Sequence, residues 1–205
     1  MACNISGVIL AGGANTRFNG EIKSKLVIGG KPVINRIIDT IRDIFEEIII
    51  VTNNPEVFSE LSNCKITGDH FLKAGPLGGI HAGLKASCKE AVFVFAGDMP
   101  LLSNKLINKQ IEIFSSGKYD ILVPGVNENI EPLHSIYNSS VIKRLEEYLT
   151  ENRNFAVRNF FRLMNVHYMV LEDSAETKNA FQNINQPSDV LVVNNILTLG
   201  NSLES

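Results

Sequence analysis

The sequence predicts an α/β fold: a mainly parallel sheet with helices on both faces. Three observations predict it. Short apolar runs alternate with longer stretches of helical period, the β-α-β-α order of a parallel sheet. The runs are almost continuously apolar, as in Val92-Phe93-Val94-Phe95, which suits strands buried on both faces. Glycine and polar clusters stand just past several runs, and an open parallel sheet binds ligands beyond the carboxyl ends of its strands.

In chain order, residues 6–11 read as a buried strand. Residues 32–45 read as a helix, with Pro32 in its first turn and Ile34, Ile37, Ile38, Ile41 and Phe45 along one face. The β-branched run 48–52 is a strand, ended by the turn signal Asn53-Asn54-Pro55. A helix over 77–88, a strand over 91–96 and a helix over 103–114 follow, Ser103 being the expected N-cap. Residues 121–123 form the next strand. The second half is less regular: a strand over 133–137, helices over 140–149 and 156–164, a strand over 166–171 and a closing helix over 187–199. No repeat, low-complexity tract or proline-rich linker interrupts the chain, so one domain is expected over residues 1–200, with 201–205 frayed.

The chain has 205 residues, enough for one sizeable core. Hydrophobic residues make up 44% and charged residues 20%, the balance of a soluble globular protein. A net charge of −3 leaves no basic excess for neutralising nucleic-acid phosphates. Apolar runs such as Ile48–Val51 are far too short to span a bilayer, and the N-terminus lacks the pattern of a secretory signal. Cys3, Cys64 and Cys88 are odd in number and widely spaced, which suggests free thiols in a reducing cytoplasm.

The strand ends carry the chemistry. The stretch "GGANTRFNG" follows the first strand, with Arg17 inside it and Lys23 and Lys25 beyond. It is neither a phosphate loop of the Gly-x-x-x-x-Gly-Lys-Ser/Thr type nor a Gly-x-Gly-x-x-Gly dinucleotide fingerprint. A double glycine alone can be a tight turn, and each cation alone a solvated charge. Together, backbone amides and two cations suit a triphosphate. Asp98, between Gly97 and Met99-Pro100 at a strand end, can bind Mg²⁺ where phosphate oxygens and waters complete the octahedron. The alternative is a turn or capping aspartate before Ser103.

"LAGGANTRFNG" followed by Lys23, "GPLGGI", "GDMP" and "FQNINQPSDV" together resemble the molybdenum cofactor guanylyltransferases of the nucleotidyltransferase superfamily, in order from Gly7 to Val190. The resemblance implies a single-domain, Rossmann-like nucleotidyltransferase fold. It implies a nucleotide-binding half over about 1–115 and an acceptor-binding half over about 116–200. Leu10, Ala11, Gly12 and Gly13 would wrap the triphosphate and contribute to the base pocket, with Arg17 near the phosphates. The loop lysine maps to Lys23, with Lys25 as the second candidate. Asn53 and Asp69 fall where the family recognises the nucleoside, and Gly79 falls near the base. Asp98 corresponds to the magnesium ligand; Asn183 and Asn185 correspond to a segment on the pterin side. The family's usual Arg-Met-Gly-Gly is here Arg17-Phe18-Asn19-Gly20, the acid before its lysine is Ile22, and Cys-Asp-x-Pro is Gly97-Asp98-Met99-Pro100.

The implied reaction is Mg²⁺-dependent transfer of GMP from GTP to the phosphate of molybdopterin or molybdenum-molybdopterin, releasing pyrophosphate. An anionic phosphate nucleophile needs no catalytic triad; positioning and charge stabilisation by Lys23, Arg17 and Asp98 suffice. The implied partners are these two substrates, with transient contact to proteins that deliver and receive the cofactor, and neither nucleic acid nor membrane. Competing readings are a cytidylyltransferase or another small-substrate nucleotidyltransferase, a non-catalytic nucleotide-binding regulatory module, and a nicotinamide oxidoreductase. His70, His81 and His134 are read as structural or surface histidines rather than substrate contacts. Arg153 and Arg158 are read as a solvated helix face opposite Phe155, Phe160 and Phe161.

Overall fold

The computed structural model describes residues 4–12, 22–151 and 154–201. Strand β1 (Ile5–Leu10) runs up the middle of the sheet. A short antiparallel ribbon, β2 (Val27–Ile28) and β3 (Lys31–Pro32), leads into helix α1 (Val33–Ile41). Pairing with Val27 holds Pro32 extended as the N-cap, one residue before the helical turn expected for it. Next come β4 (Ile48–Val51), β5 (Lys65–Thr67), α2 (Pro76–Ala86), β6 (Ala91–Ala96) and α3 (Asn104–Ser116). Ser103 caps α3, its Oγ accepting from Leu106 N–H at 3.3 Å. The remainder is β7 (Ile121–Val126), β8 (Asn129–Ile130), β9 (His134–Asn138), α4 (Ile142–Glu151), α5 (Val157–Phe161), β10 (Val166–Leu171), α6 (Ala175–Ala180) and α7 (Pro187–Asn201).

The main sheet has the order β10-β7-β9-β6-β1-β4-β5, with β8 folded back on β7. β5, β4, β1 and β6 are parallel, and β7 and β10 are parallel to each other. Only β9, between β6 and β7, and the short β8 run antiparallel to their neighbours. The carboxyl ends of β1, β4, β5, β6, β7 and β10 therefore share one rim with the start of β9.

Alternation along the strands divides the core into two layers. Ile5, Ile9, Ile48, Ile50, Phe93 and Phe95 face α1, with Ile107 of α3 and Val193 of α7 in the same layer. Val8, Ile49, Val51, Val92 and Val94 face α2, α4 and α5. Phe45 stands edge-on to both Phe93 and Phe95 at 5.9 Å, which fixes how the chain leaving α1 meets the sheet. The predicted architecture of helices on both faces is the one observed.

His134 lies in the first layer, fully buried, edge-on to Phe93, Phe95 and Phe181. Among the described residues neither ring nitrogen has a partner. Burial pushes its pKa down to about 4, so the folded protein holds it neutral. The unfolded chain binds more protons here between its ordinary value of 6.5 and about 4. Stability from this site is therefore complete above pH 6.5 and falls as pH drops through that window, by up to about 3 kcal/mol. Urea unfolding at pH 7.5 and at pH 5 should show the loss, and His134→Leu should flatten it.

Candidate active site

The chain passes from β1 to β4 and β5 on one side, then returns to place β6 on the other side of β1. A crevice opens at such a reversal, beyond the carboxyl ends. Backbone bonds tie the rim: Ala11 N–H donates to Val51 O at 2.9 Å, Thr52 N–H to Thr67 O at 2.9 Å, and Gly97 N–H to Leu10 O at 3.0 Å. A Cβ on Gly97 would lie 2.7 Å from Leu10 O and 3.1 Å from Ala11 Cα, so only glycine lets β6 close onto β1 and present Asp98 there. Gly97→Ala should cost about 1–3 kcal/mol by overpacking against backbone. Thermal denaturation should read the loss as a lowered midpoint.

Asp98 is the centre of the first cluster. The Lys23 ammonium, at the start of a 3₁₀ turn over Lys23–Lys25, donates to Asp98 Oδ2 at 3.0 Å and to Asn185 Oδ1 at 2.8 Å. Asp98 and Lys23 are each about one-fifth exposed, at 22% and 21%, so they meet at the crevice surface rather than in the core. Asp98 O accepts from Ile184 N–H at 2.9 Å, which fastens the late asparagine segment to the end of β6. The same turn sends Lys25 elsewhere: it pairs with Glu60 and lies 5.1 Å over the Phe58 ring. Of the two candidate lysines, the fold brings Lys23 to Asp98.

Asp189 shapes the asparagine segment. Its Oδ2 accepts from Asn185 N–H at 2.7 Å and from Gln186 N–H at 2.9 Å, capping α7 just behind Pro187. Sequence reasoning passed over Asp189, although Pro187 followed two residues later by an acid is a helix-start signal. Asn183 is not drawn into the Lys23–Asp98 cluster; its Nδ2 donates back to Phe181 O at 3.3 Å.

A second cluster forms past β4 and β5. Asn53 Oδ1 accepts from Asp69 N–H at 3.1 Å, and Asp69 Oδ1 accepts from Phe71 N–H at 2.8 Å. Burial raises the Asp69 pKa, opposed by the Phe71 bond and the nearby His81 and His70. Gly78, within the GPLGGI motif, makes room: a Cβ there would stand 2.6 Å from Asp69 Oδ2. One residue on, the Gly79 Cβ position is 3.2 Å from both Leu10 Cδ atoms. Asn53, Asp69, Gly79 and Leu10 thus line the β1–β5 side of the rim, with Ala11 buried and Gly12 exposed at the turn. Gly13 and Arg17 lie outside the described residues.

His81 and Arg158 have structural partners. His81 Nε2 is 3.0 Å from Glu146 Oε1, and the His81 ring is edge-on to Phe71. Arg158 donates to Glu128 O at 3.1 Å; Arg153 lies outside the described residues. Cys64 and Cys88 are free thiols, while Cys3 lies outside the described residues.

The donor set at Asp98 is made of hard oxygens, the Asp98 carboxylate with the Asn185 amide oxygen nearby. Among the described residues no three His, Cys, Asp or Glu side chains gather as a metal cage. One carboxylate among hard oxygens is the donor set that suits Mg²⁺ when substrate phosphates and water complete its octahedron.

Comparison with known proteins accords with this geometry. The family profile of the MobA-like NTP transferase domain matches residues 7–167. A protein of Natranaerobius thermophilus named "Probable molybdenum cofactor guanylyltransferase" is 37% identical over 198 residues, covering 93% of this chain and 95% of that one. The "Molybdenum cofactor guanylyltransferase" of Desulfosudis oleivorans is 31% identical over 188 residues, covering 91% and 92%. Among solved structures, molybdopterin-guanine dinucleotide biosynthesis protein A from Archaeoglobus fulgidus superposes with a TM-score of 0.80 at 21% identity, over 95% of this chain and 99% of that one. By profile and by sequence, the chain belongs to the MobA-like NTP transferase family.

Proposed function

We propose that this protein transfers GMP from GTP to the terminal phosphate of molybdenum-molybdopterin, forming the guanine dinucleotide and releasing pyrophosphate. The observation that carries the reading is the meeting of Lys23, Asp98 and Asn185 at the β1–β6 crevice. Lys23 and Asp98 come from the nucleotide-binding half and Asn185 from the acceptor-binding half, so the two substrates meet over them. An acceptor phosphate oxygen forms the new bond to the α-phosphorus of GTP as the bond to the β-phosphate oxygen breaks.

No side chain need supply a nucleophile, since the attacking phosphate is already anionic. The chain's task is orientation and charge compensation. The Lys23 ammonium is placed to exchange its carboxylate partner for a phosphate oxygen, and Arg17 joins it in holding the leaving pyrophosphate. Asn185 keeps the acceptor in line through its amide. Asn53 and Asp69 orient the nucleoside on the other side, above Leu10 and Gly79. Asp98 is the residue that would hold Mg²⁺, an ion that offsets charge on the α-phosphate when bound.

Docking to proteins that deliver the pterin and receive the product, and a cytoplasmic location, belong to the same reading. No helix among the described residues is long and apolar enough to cross a membrane. Equilibrium titration with GTP, CTP, ATP and UTP, each with and without Mg²⁺, tests nucleotide choice. Selective, Mg²⁺-strengthened GTP binding is expected. Preference for CTP would reassign the protein to cytidylyl transfer, and no binding to any nucleotide would overturn the reading.

A further inference from the structure

The acceptor side of the rim holds a carboxylate that the reaction above leaves unused. Glu131 links β8 to β9, and its N–H donates to Pro124 O on β7 at 2.9 Å. Its own carbonyl accepts from His134 N–H at 3.0 Å and from Ser135 Oγ at 2.6 Å, so its backbone is held on three counts. Two residues later, Leu133 O accepts from Ala96 N–H at 2.9 Å, at the end of β6 and two residues before Asp98. Glu131 therefore stands at the same rim as Asp98, on the side away from Asn53 and Asp69.

Strand alternation assigns its face. Leu122 packs in the layer that holds Phe95 and Ile184, and Pro124, two residues on, keeps that face. Glu131, opposite Pro124, shares it with His134, on which Phe181 rests at 5.2 Å. Phe181 opens the segment that continues through Asn183 to Asn185. The Glu131 side chain is half-buried, yet among the described residues its carboxylate has no hydrogen-bond donor and no cation. Its pKa is raised by burial alone, which accords with a carboxylate lacking a counter-charge. Its oxygens are not sealed from solvent, so the N–H donors of a ligand can take the place of water there.

We infer that Glu131 is a specificity residue for the acceptor, its carboxylate receiving two N–H donors from the 2-amino-4-oxo pyrimidine edge of the pterin. This inference rests on the proposed guanylyl transfer. The chemistry matches in kind: that edge offers adjacent ring and exocyclic N–H groups, and a carboxylate accepts two parallel bonds. The phosphate end of the same molecule then points along the rim toward Asn185 and Asp98. A site built to take N–H donors discriminates strongly against an analogue lacking one, because its polar atoms are left unpaired.

The test compares the wild type with Glu131→Gln and Glu131→Ala in steady-state turnover of GTP with molybdenum-molybdopterin. It adds fluorescence titrations with 6-hydroxymethylpterin and with 6-hydroxymethyllumazine, which carries a carbonyl in place of the 2-amino group. In the wild type the pterin should bind at least about tenfold tighter than the lumazine. Both variants should raise KM for molybdenum-molybdopterin by about tenfold or more while leaving KM for GTP unchanged, and both should lose the preference for pterin. A purely structural role would alter the two KM values together or neither, and would leave the preference intact. Wild-type turnover with unchanged KM and preference in both variants would overturn this inference while leaving guanylyl transfer standing. Absence of wild-type turnover would overturn guanylyl transfer itself and this inference with it.

Discussion

Asp98→Ala should reduce turnover by about 10²–10³-fold or more, with the fold intact. The carboxylate is the only acidic group drawn to Lys23 among the described residues, and it stands where β6 ends against β1. Removing it takes away the proposed Mg²⁺ ligand and, among the described residues, leaves Lys23 with Asn185 alone. Stability should change little, by about 1 kcal/mol or less, because the ion pair is partly solvated. Asp98→Asn separates charge from shape: its amide oxygen can still accept from Lys23, yet it offers a cation no negative charge. Equal loss in Asn and Ala variants assigns the effect to the charge. Near-normal turnover by Asp98→Asn would remove the metal from the account, and near-normal turnover by both would remove Asp98 from the mechanism. Pyrophosphate release, with thermal unfolding as the fold control, reads both quantities.

Lys23→Ala should be the second large loss, about 10²-fold in kcat/KM for GTP, since the proposed charge-assisted contact to the leaving phosphates disappears. Lys25→Ala is the matched control. Its ammonium pairs with Glu60 and lies over the Phe58 ring, away from Asp98. Kinetic parameters should hardly move in that variant. If Lys25→Ala were the crippled enzyme and Lys23→Ala the normal one, the loop would bind nucleotide in a register two residues away from the one described. Steady-state kinetics over a range of GTP concentrations distinguishes the two outcomes.

The central layers of the fold were legible because burial and sequence agree there. Ala91–Ala96 and Val166–Leu171 are strands over the very residues expected, and Ile34, Ile37 and Ile41 of α1 all face the core. Elements that bury little left little pattern. β5 is three residues with one apolar side chain, Ile66, and α6 is capped by Ser174 with only Ala180 buried. Both escaped a reading that depends on apolar period. The helix expected over 156–164 shrinks to Val157–Phe161, because Phe160 and Phe161 satisfy the core without further turns.

The site divides in the same way. Asp69, past the unread β5, is reached only through the family resemblance, whereas Asn53 and Asp98, just beyond predicted strands, follow from topology. The choice between Lys23 and Lys25 does not, since a three-residue turn carries no period and both lysines precede the same ribbon. Gly78, Gly97 and Asp189 were hidden for another reason. Their roles are close approach and capping, which become specific only when the partner backbone is in place.

The measurement that bears most directly on the central claim supplies the purified protein with GTP, Mg²⁺ and molybdenum-molybdopterin, and follows pyrophosphate and dinucleotide together. Guanylyl transfer predicts one pyrophosphate released for each guanine dinucleotide formed, and neither product without the acceptor. GTP binding with no pyrophosphate in the presence of acceptor would contradict it, and would leave a nucleotide-binding module whose crevice holds its ligand without acting on it.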